Sequence, residues 1–130
     1  MHEIRIKRIY DLPTDDDGYR VLVDRLWPRG TSKEKAQLDE WAKEIAPSND
    51  LRQWFHHEPE KFELFSMQYQ QELENNPLAI EWKAACQSNL STGNVTLLYA
   101  TKDPECNHAL VLKKWLEKRL ICCFNNILSL

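Results

Sequence analysis

Asp24, Arg25 and Arg29 fall within one short segment, DRLWPRG at 24–30, where Pro28 and Gly30 forbid a regular helix or strand. An arginine can grip a carboxylate or phosphate through two parallel hydrogen bonds, which the point charge of a lysine does not reproduce. A second polar segment, TKDPECNH at 101–108, supplies Lys102, Asp103, Asn107 and His108. Imidazole suits proton transfer near neutral pH, and a neighbouring carboxylate can fix its tautomer or take the proton. If the two segments meet, His108 and Asp24 form a catalytic pair, while Arg25, Arg29, Lys102 and Asn107 hold a small anionic substrate. Such a set supports hydrolysis or group transfer.

Each of these residues also has a purely structural use. Asp24 can pair with an arginine or cap loop amides, Arg29 can pin the Pro28 loop, and His108 can occupy the first turn of a helix. Asp103 precedes Pro104 and suits a helix cap, Lys102 and Asn107 suit structural or solvent-facing positions, and Trp27 packs its loop on the core. Whether the chain is an enzyme stays open, and the alternative is a noncatalytic regulatory or protein-interaction module. In that case the arginines lie on a flat, exposed patch rather than in a pocket.

Other chemistries lack their motifs. There is no GxGxxG or GxxxxGK run for a dinucleotide or P-loop nucleotide, and no GxSxG elbow. Cys86, Cys106, Cys122 and Cys123 offer neither a CxxC pair nor a four-ligand zinc spacing. His56 and His57 are adjacent, so their side chains diverge, and no third ligand follows at a metal-site spacing; a helix–helix corner accounts for them. The expectation is no cofactor and no metal.

Elements that can position these residues are visible in the apolar periodicity. Ile4 and Ile6 alternate with Arg5 and Lys7, which predicts a strand with one buried face. Asp15, Asp16, Asp17 and Gly18 read as a solvated turn, and Tyr19 to Val23 as a second strand. Thr31 and Glu34 form a capping-box pattern that starts a short helix near Ser32. Ser48 caps a turn with Leu51, Trp54 and Phe55 on one face, and Pro59 opens a longer helix that turns Phe62, Phe65, Tyr69 and Leu73 inward. Asn76 and Pro77 open another, with Leu78, Trp82 and Ala85 as its inward stripe. The run VTLLYA at 95–100 has the continuous apolar character of a central strand covered on both faces. A last helix starts near Asp103 and Pro104, with Leu112, Trp115, Leu116 and Leu120 inward and Lys113, Lys114, Lys118 and Arg119 outward. The predicted fold is α/β, a single small domain whose sheet of about three to four strands carries helices on its faces, in undetermined strand order. Ligands of such sheets bind beyond the carboxyl ends of the strands, where both polar segments fall.

Composition bounds the partners. The 130 residues are 42% hydrophobic and 28% charged with three glycines, which suits one folded domain and excludes a disordered or linker-like chain. That domain is expected over 1–120, with ICCFNNILSL at 121–130 as a docked tail, a subunit contact or a disordered end. A net charge of −3 disfavours nucleic acid and anionic membranes as partners, leaving a small anionic ligand or a protein. The opening MHEIRIKRIY lacks the apolar stretch of a secretory signal, and no apolar run is long enough for a membrane span, so a cytoplasmic protein is expected.

Five segments, VLVDRLWPRG (21–30), EIAPS (44–48), LRQWFHHEPEKF (51–62), VTLLYATKD (95–103) and NHALVLKKWL (107–116), together resemble the bacterial YeaO-like family, a domain of unknown function. The resemblance covers about residues 2–120. It implies a small cytoplasmic α/β domain in which Asp24, Arg25, Trp27, Pro28, Arg29 and Gly30 form one signature segment and Asn107 and His108 belong to a second. It implies no particular activity. His56 stands where the family pattern commonly has glycine, and Glu58 where aspartate is more usual, which weakens any chemistry assigned around His57 and leaves DRLWPRG intact.

Overall fold

In the computed structural model, which describes residues 2–117, four strands form one parallel sheet. They are β1 (Ile4–Arg8), β2 (Tyr19–Leu22), β3 (Glu40–Trp41) and β4 (Val95–Tyr99), in the order β1-β4-β2-β3. Parallel neighbours need long crossover connections, and the one from β3 to β4 carries α2 (Asn49–Phe55), α3 (Phe62–Glu74) and α4 (Pro77–Leu90). The short α1 (Lys33–Ala36) joins β2 to β3, and α5 runs from 108 to the end of the described residues.

All five residues of β4 are buried, as its unbroken apolar sequence requires of a central strand. On one face Val21, Val23, Val95, Leu97 and Tyr99 pack against side chains of α3, α4 and α5, among them Phe65, Tyr69, Trp82, Leu112 and Trp115. Each such aliphatic or aromatic side chain, fully buried, contributes about 1.5–3 kcal/mol. The other face is smaller: Ile9, Leu22, Ala36 and Leu98 are covered by Trp27, Leu38 and Trp41 from the chain around α1. The α/β class and the two-sided burial of VTLLYA therefore hold. β3 escaped sequence reading because two half-buried residues carry no alternation.

The acidic run is not a purely solvated turn. Asp15–Asp17 is a turn of 3₁₀ helix, and Asp17 is only 1% exposed. Its carboxylate accepts hydrogen bonds from the Thr14 amide (3.1 Å), the Thr14 hydroxyl (3.0 Å) and Lys7 Nζ (3.1 Å), and it pairs with the Arg20 guanidinium. Arg20, itself buried, also donates to the carbonyls of Ala36 and Gln37, while the Thr96 hydroxyl donates to the Asp17 carbonyl at 2.6 Å. Lys7, Arg20 and Thr96 point to the sheet face opposite α3, α4 and α5, where the Asp17 carboxylate meets the two cations and its carbonyl meets Thr96. Gly18 follows at φ +64°, and a Cβ there would lie 2.1 Å from the Asn94 carbonyl oxygen, which accepts the Tyr19 amide at 2.8 Å. Only glycine fits that approach.

Three helix details also differ from the sequence reading. Ser32 rather than Thr31 caps α1, its hydroxyl accepting the Lys35 amide at 3.1 Å. The buried stripe of α4 is Ala79, Trp82, Lys83 and Cys86, with Leu78 and Ala85 exposed. That helix has apolar residues on more than one face, so periodicity alone could not select the inner one. Residues 101–107 are non-helical, and α5 begins at 108 rather than near Asp103. Lys118, Arg119, Leu120 and the tail 121–130 lie outside the described residues.

Burial alone would raise the Asp17 pKa, but the Thr14 amide, Lys7, the Thr14 hydroxyl and Arg20 together hold it below its ordinary 3.8. A carboxyl depressed in the folded state stabilises above its unfolded pKa, and that stability is lost as pH falls through the folded value. Asp17→Asn should therefore cost about 3–5 kcal/mol at neutral pH, because it leaves Arg20 buried without its counter-ion. Urea unfolding should show this deficit narrowing below about pH 4 as the wild-type carboxylate itself is titrated. Equal stabilities at pH 7 would remove the cluster from the determinants of the fold.

Candidate functional site

The register that sets Leu22 opposite Leu98 also decides what lies at the carboxyl edge of the sheet. The Val23 amide extends the ladder to the Leu98 carbonyl at 3.0 Å, so Asp24 emerges beside Ala100 and its Oδ2 accepts the Ala100 amide at 3.1 Å. From the first turn of α5, His108 returns to the same point. Its Nε2 lies 3.1 Å from the Val23 carbonyl oxygen and 2.8 Å from Asp24 Oδ1. Both neighbours are acceptors, which assigns a proton to Nε2. The N–H aligns on the carbonyl, while the buried Oδ1 makes a close electrostatic contact without an aligned donor.

Capping interactions put His108 there. Asp103 Oδ1 accepts the amides of Glu105 (2.9 Å) and Cys106 (3.0 Å), bonds that hold its carboxyl below the ordinary value. Asn107 then caps α5, its Oδ1 accepting the Leu110 amide at 3.0 Å and its Nδ2 donating to the Asp103 carbonyl at 2.9 Å. Asn107 borders the cleft described below, but its polar atoms are engaged in this cap. Cys106 borders it too. Burial first, then Asp103 and Glu105, push that thiol up in pKa, the opposite of what an activated nucleophile needs.

The two signature arginines part company. Arg25 turns inward, where Nε donates to the Pro47 carbonyl at 3.1 Å and Nη2 to the Ala46 carbonyl at 3.0 Å. Among the described residues no carboxylate forms an ion pair with it. Arg29 is exposed away from the cleft, and its backbone carbonyl accepts the Tyr10 hydroxyl at 2.7 Å. Lys102 is also exposed and does not line the cleft. Trp27 packs its loop, edge-on to Trp41 at 5.4 Å with Nε1 donating to the Thr31 carbonyl at 2.9 Å.

Between these residues and α2 opens a cleft of about 800 Å³. Asp24, Arg25 and His108 form its sheet-side wall, and Arg52, His56 and His57 its helix-side wall. His56 and His57 end α2 in consecutive left-handed conformations, at φ +47° and +57°. The sequence reading saw a helix corner at these histidines, and a corner is present, but it missed that the corner forms one side of a cleft. No spacing relates residues 52–57 to the DRLWPRG loop. Their proximity depends on how the crossover packs on the sheet, and the paired histidines after a short helix were the only local sign. Among the described residues no three His, Cys, Asp or Glu side chains cluster as a metal site.

The contact between Asp24 and His108 has a direct thermodynamic signature. In a double-mutant cycle of Asp24→Ala and His108→Ala, followed by denaturant unfolding, the single losses should fail to add by about 0.5–3 kcal/mol. Additive losses would mean that the carboxylate and imidazole act independently.

The family described as "Inactive DUF488-N3 subclade" matches residues 3–123. "Uncharacterized protein YeaO" of Escherichia coli is 46% identical over 115 residues, spanning 88% of this chain and 96% of that protein. "Uncharacterized protein Rv3073c" of Mycobacterium tuberculosis is 39% identical over 116 residues, spanning 89% of this chain and 95% of its own length. No solved structure matches the chain significantly. With nearly its whole length covered by the family and by relatives of the same size, the chain belongs to the DUF488-N3 family of YeaO-like proteins, a family of unknown function.

Proposed function

We propose that the cleft at the carboxyl edge of the sheet binds a small anionic ligand without turning it over. The observation that carries this reading is the state of Arg25. It is a half-buried residue of the cleft wall whose guanidinium is held by two backbone carbonyls and, among the described residues, is in ion-pair contact with no carboxylate. A cation removed from water without a counter-ion attracts an anion more strongly than an exposed one does. Arg52 lies across the cleft, its guanidinium donating to the Asn49 side chain at 3.1 Å, and His56 and His57 add donors. Arg25 and Arg52, rather than Arg29 and Lys102, are therefore the cations of the proposed site.

Binding has more support than hydrolysis or group transfer. Asp24 is committed to the Ala100 amide, and His108 presents Nε2 to Val23 and Asp24, so the two groups best suited to move a proton face each other and the backbone. The Cys106 thiol is pushed up rather than activated. The word "inactive" in the family description agrees with a domain that keeps its cleft without the reaction. A cytoplasmic location is part of the same proposal.

Titration with oxyanions, followed by NMR, should move the Arg25 and Arg52 side-chain resonances together with those of His108. Arg52→Gln should weaken binding roughly tenfold or more, the worth of one charge-assisted hydrogen bond, and leave the fold intact. Arg25→Gln should also lose binding but destabilise the protein, because it frees the carbonyls of Ala46 and Pro47. Unmoved arginine resonances, or an Arg52→Gln protein that binds as the wild type does, overturn the reading.

A further inference from the structure

The cleft holds far more than an inorganic anion. Its volume of about 800 Å³ lies within the range of about 300–1,000 Å³ found for organic ligand sites, and a bare phosphate or carboxylate would leave most of it empty. Beside its polar lining the cleft carries an apolar and aromatic stretch. Phe55 and Phe65 both reach the cleft, stacked on each other with centroids 4.4 Å apart, and the His57 ring lies 6.5 Å from Phe55, tilted by 51°. These rings extend an aromatic row that continues through Tyr69, whose ring centroid is 6.0 Å from that of Phe65. The aromatic wall is thus an extension of the core, fixed before any ligand arrives.

Leu26 gives the second, independent observation. It lines the cleft next to Arg25 and is 64% exposed, a large aliphatic side chain left in water at the mouth of a site. An exposed leucine alone is ordinary, but one that continues an apolar cleft wall marks the surface that a ligand covers.

Building on the anion-binding reading, we infer that the ligand is an organic acid with a planar aromatic or heteroaromatic ring, a carboxylate or a phosphate ester. Its anionic group lies towards Arg25 and Arg52, and its ring lies against His57 and the edge of Phe55, which Phe65 backs from the core, under Leu26. Rings are favoured over aliphatic groups of the same size because aromatic neighbours gain from offset or edge-to-face geometry, and a guanidinium gains from a ring face.

Calorimetric titrations with matched probes test this: benzoate against acetate, phenyl phosphate against inorganic phosphate, and phenol as the uncharged ring. At least one ring-bearing anion should bind tenfold or more tightly than both its ring-free counterpart and phenol, and which one does so distinguishes a carboxylate from a phosphate ester. Leu26→Ser should weaken that anion several-fold and leave the ring-free anion unchanged. As an exposed position it does not threaten folding, whereas Phe55→Leu, from the core, makes a second variant with the same expected selectivity. Equal binding of ring-bearing and ring-free anions overturns the ring while the anion site stands. Phenol binding as tightly as phenyl phosphate and benzoate overturns the anion site and leaves a ring pocket alone, and no anion binding at all overturns both.

Discussion

The parallel pairing of β2 with β4 is the constraint on which the other elements depend. β2 has only four residues, too few to hold its register by ladder hydrogen bonds alone, and a slip by one position would exchange its two faces. Two aspartates bracket it. Before the strand, Asp17 ties the turn to β1 through Lys7 and, by its carbonyl, to β4 through Thr96. After the strand, Asp24 takes the first free amide beyond β4, that of Ala100. One aspartate is buried in a closed network and the other stands at the edge of a cleft, so the same residue type fixes the register at one end and shapes a site at the other.

This arrangement explains where charge is available. The amino end of a helix favours a negative group, and at the start of α5 Asp24 already supplies one through its contact with His108. An incoming anion therefore gains little at that helix end. The unneutralised positive charge lies further along the wall, at Arg25 and across the cleft at Arg52. The strand-end loops thus build the scaffold of the site, while α2 contributes the groups most exposed to a ligand.

The sequence revealed what depends on local pattern. VTLLYA could be placed centrally because a two-face-buried strand is apolar throughout, and the stripe Phe65, Tyr69, Leu73 could be placed inward because its spacing is helical. DRLWPRG and the His108 segment stood out as polar runs beyond strands, and the fold does bring Asp24 and His108 together. What could not be read depends on long-range packing. Arg25 and Arg29 look equivalent in sequence, yet the carbonyls of Ala46 and Pro47, over twenty positions away, turn one inward and leave the other in solvent. Asp17 looks like its exposed neighbours Asp15 and Asp16 until Arg20 and Lys7 are seen to share its sheet face. The helix-side wall of the cleft, Arg52 to His57, lies in a segment that marks the family but has no spacing that ties it to the DRLWPRG loop, and the crossover folds it over the sheet.

His56 shows how such a site can diverge while the fold stays fixed. Its φ of +47° is a conformation that glycine adopts freely and that costs another residue about 1–2 kcal/mol. Here an imidazole occupies the position despite that strain, with its side chain at the cleft. The backbone bend is needed to end α2 and would be made either way, so the choice of residue changes the cleft and not the architecture. Phe55 and Phe65 have no such freedom, because they belong to the core as well as to the cleft wall. On the proposed reading, ligand preference shifts through Leu26, Arg52 and His56 at the rim, while the Phe55 and Phe65 surface persists for as long as the domain folds.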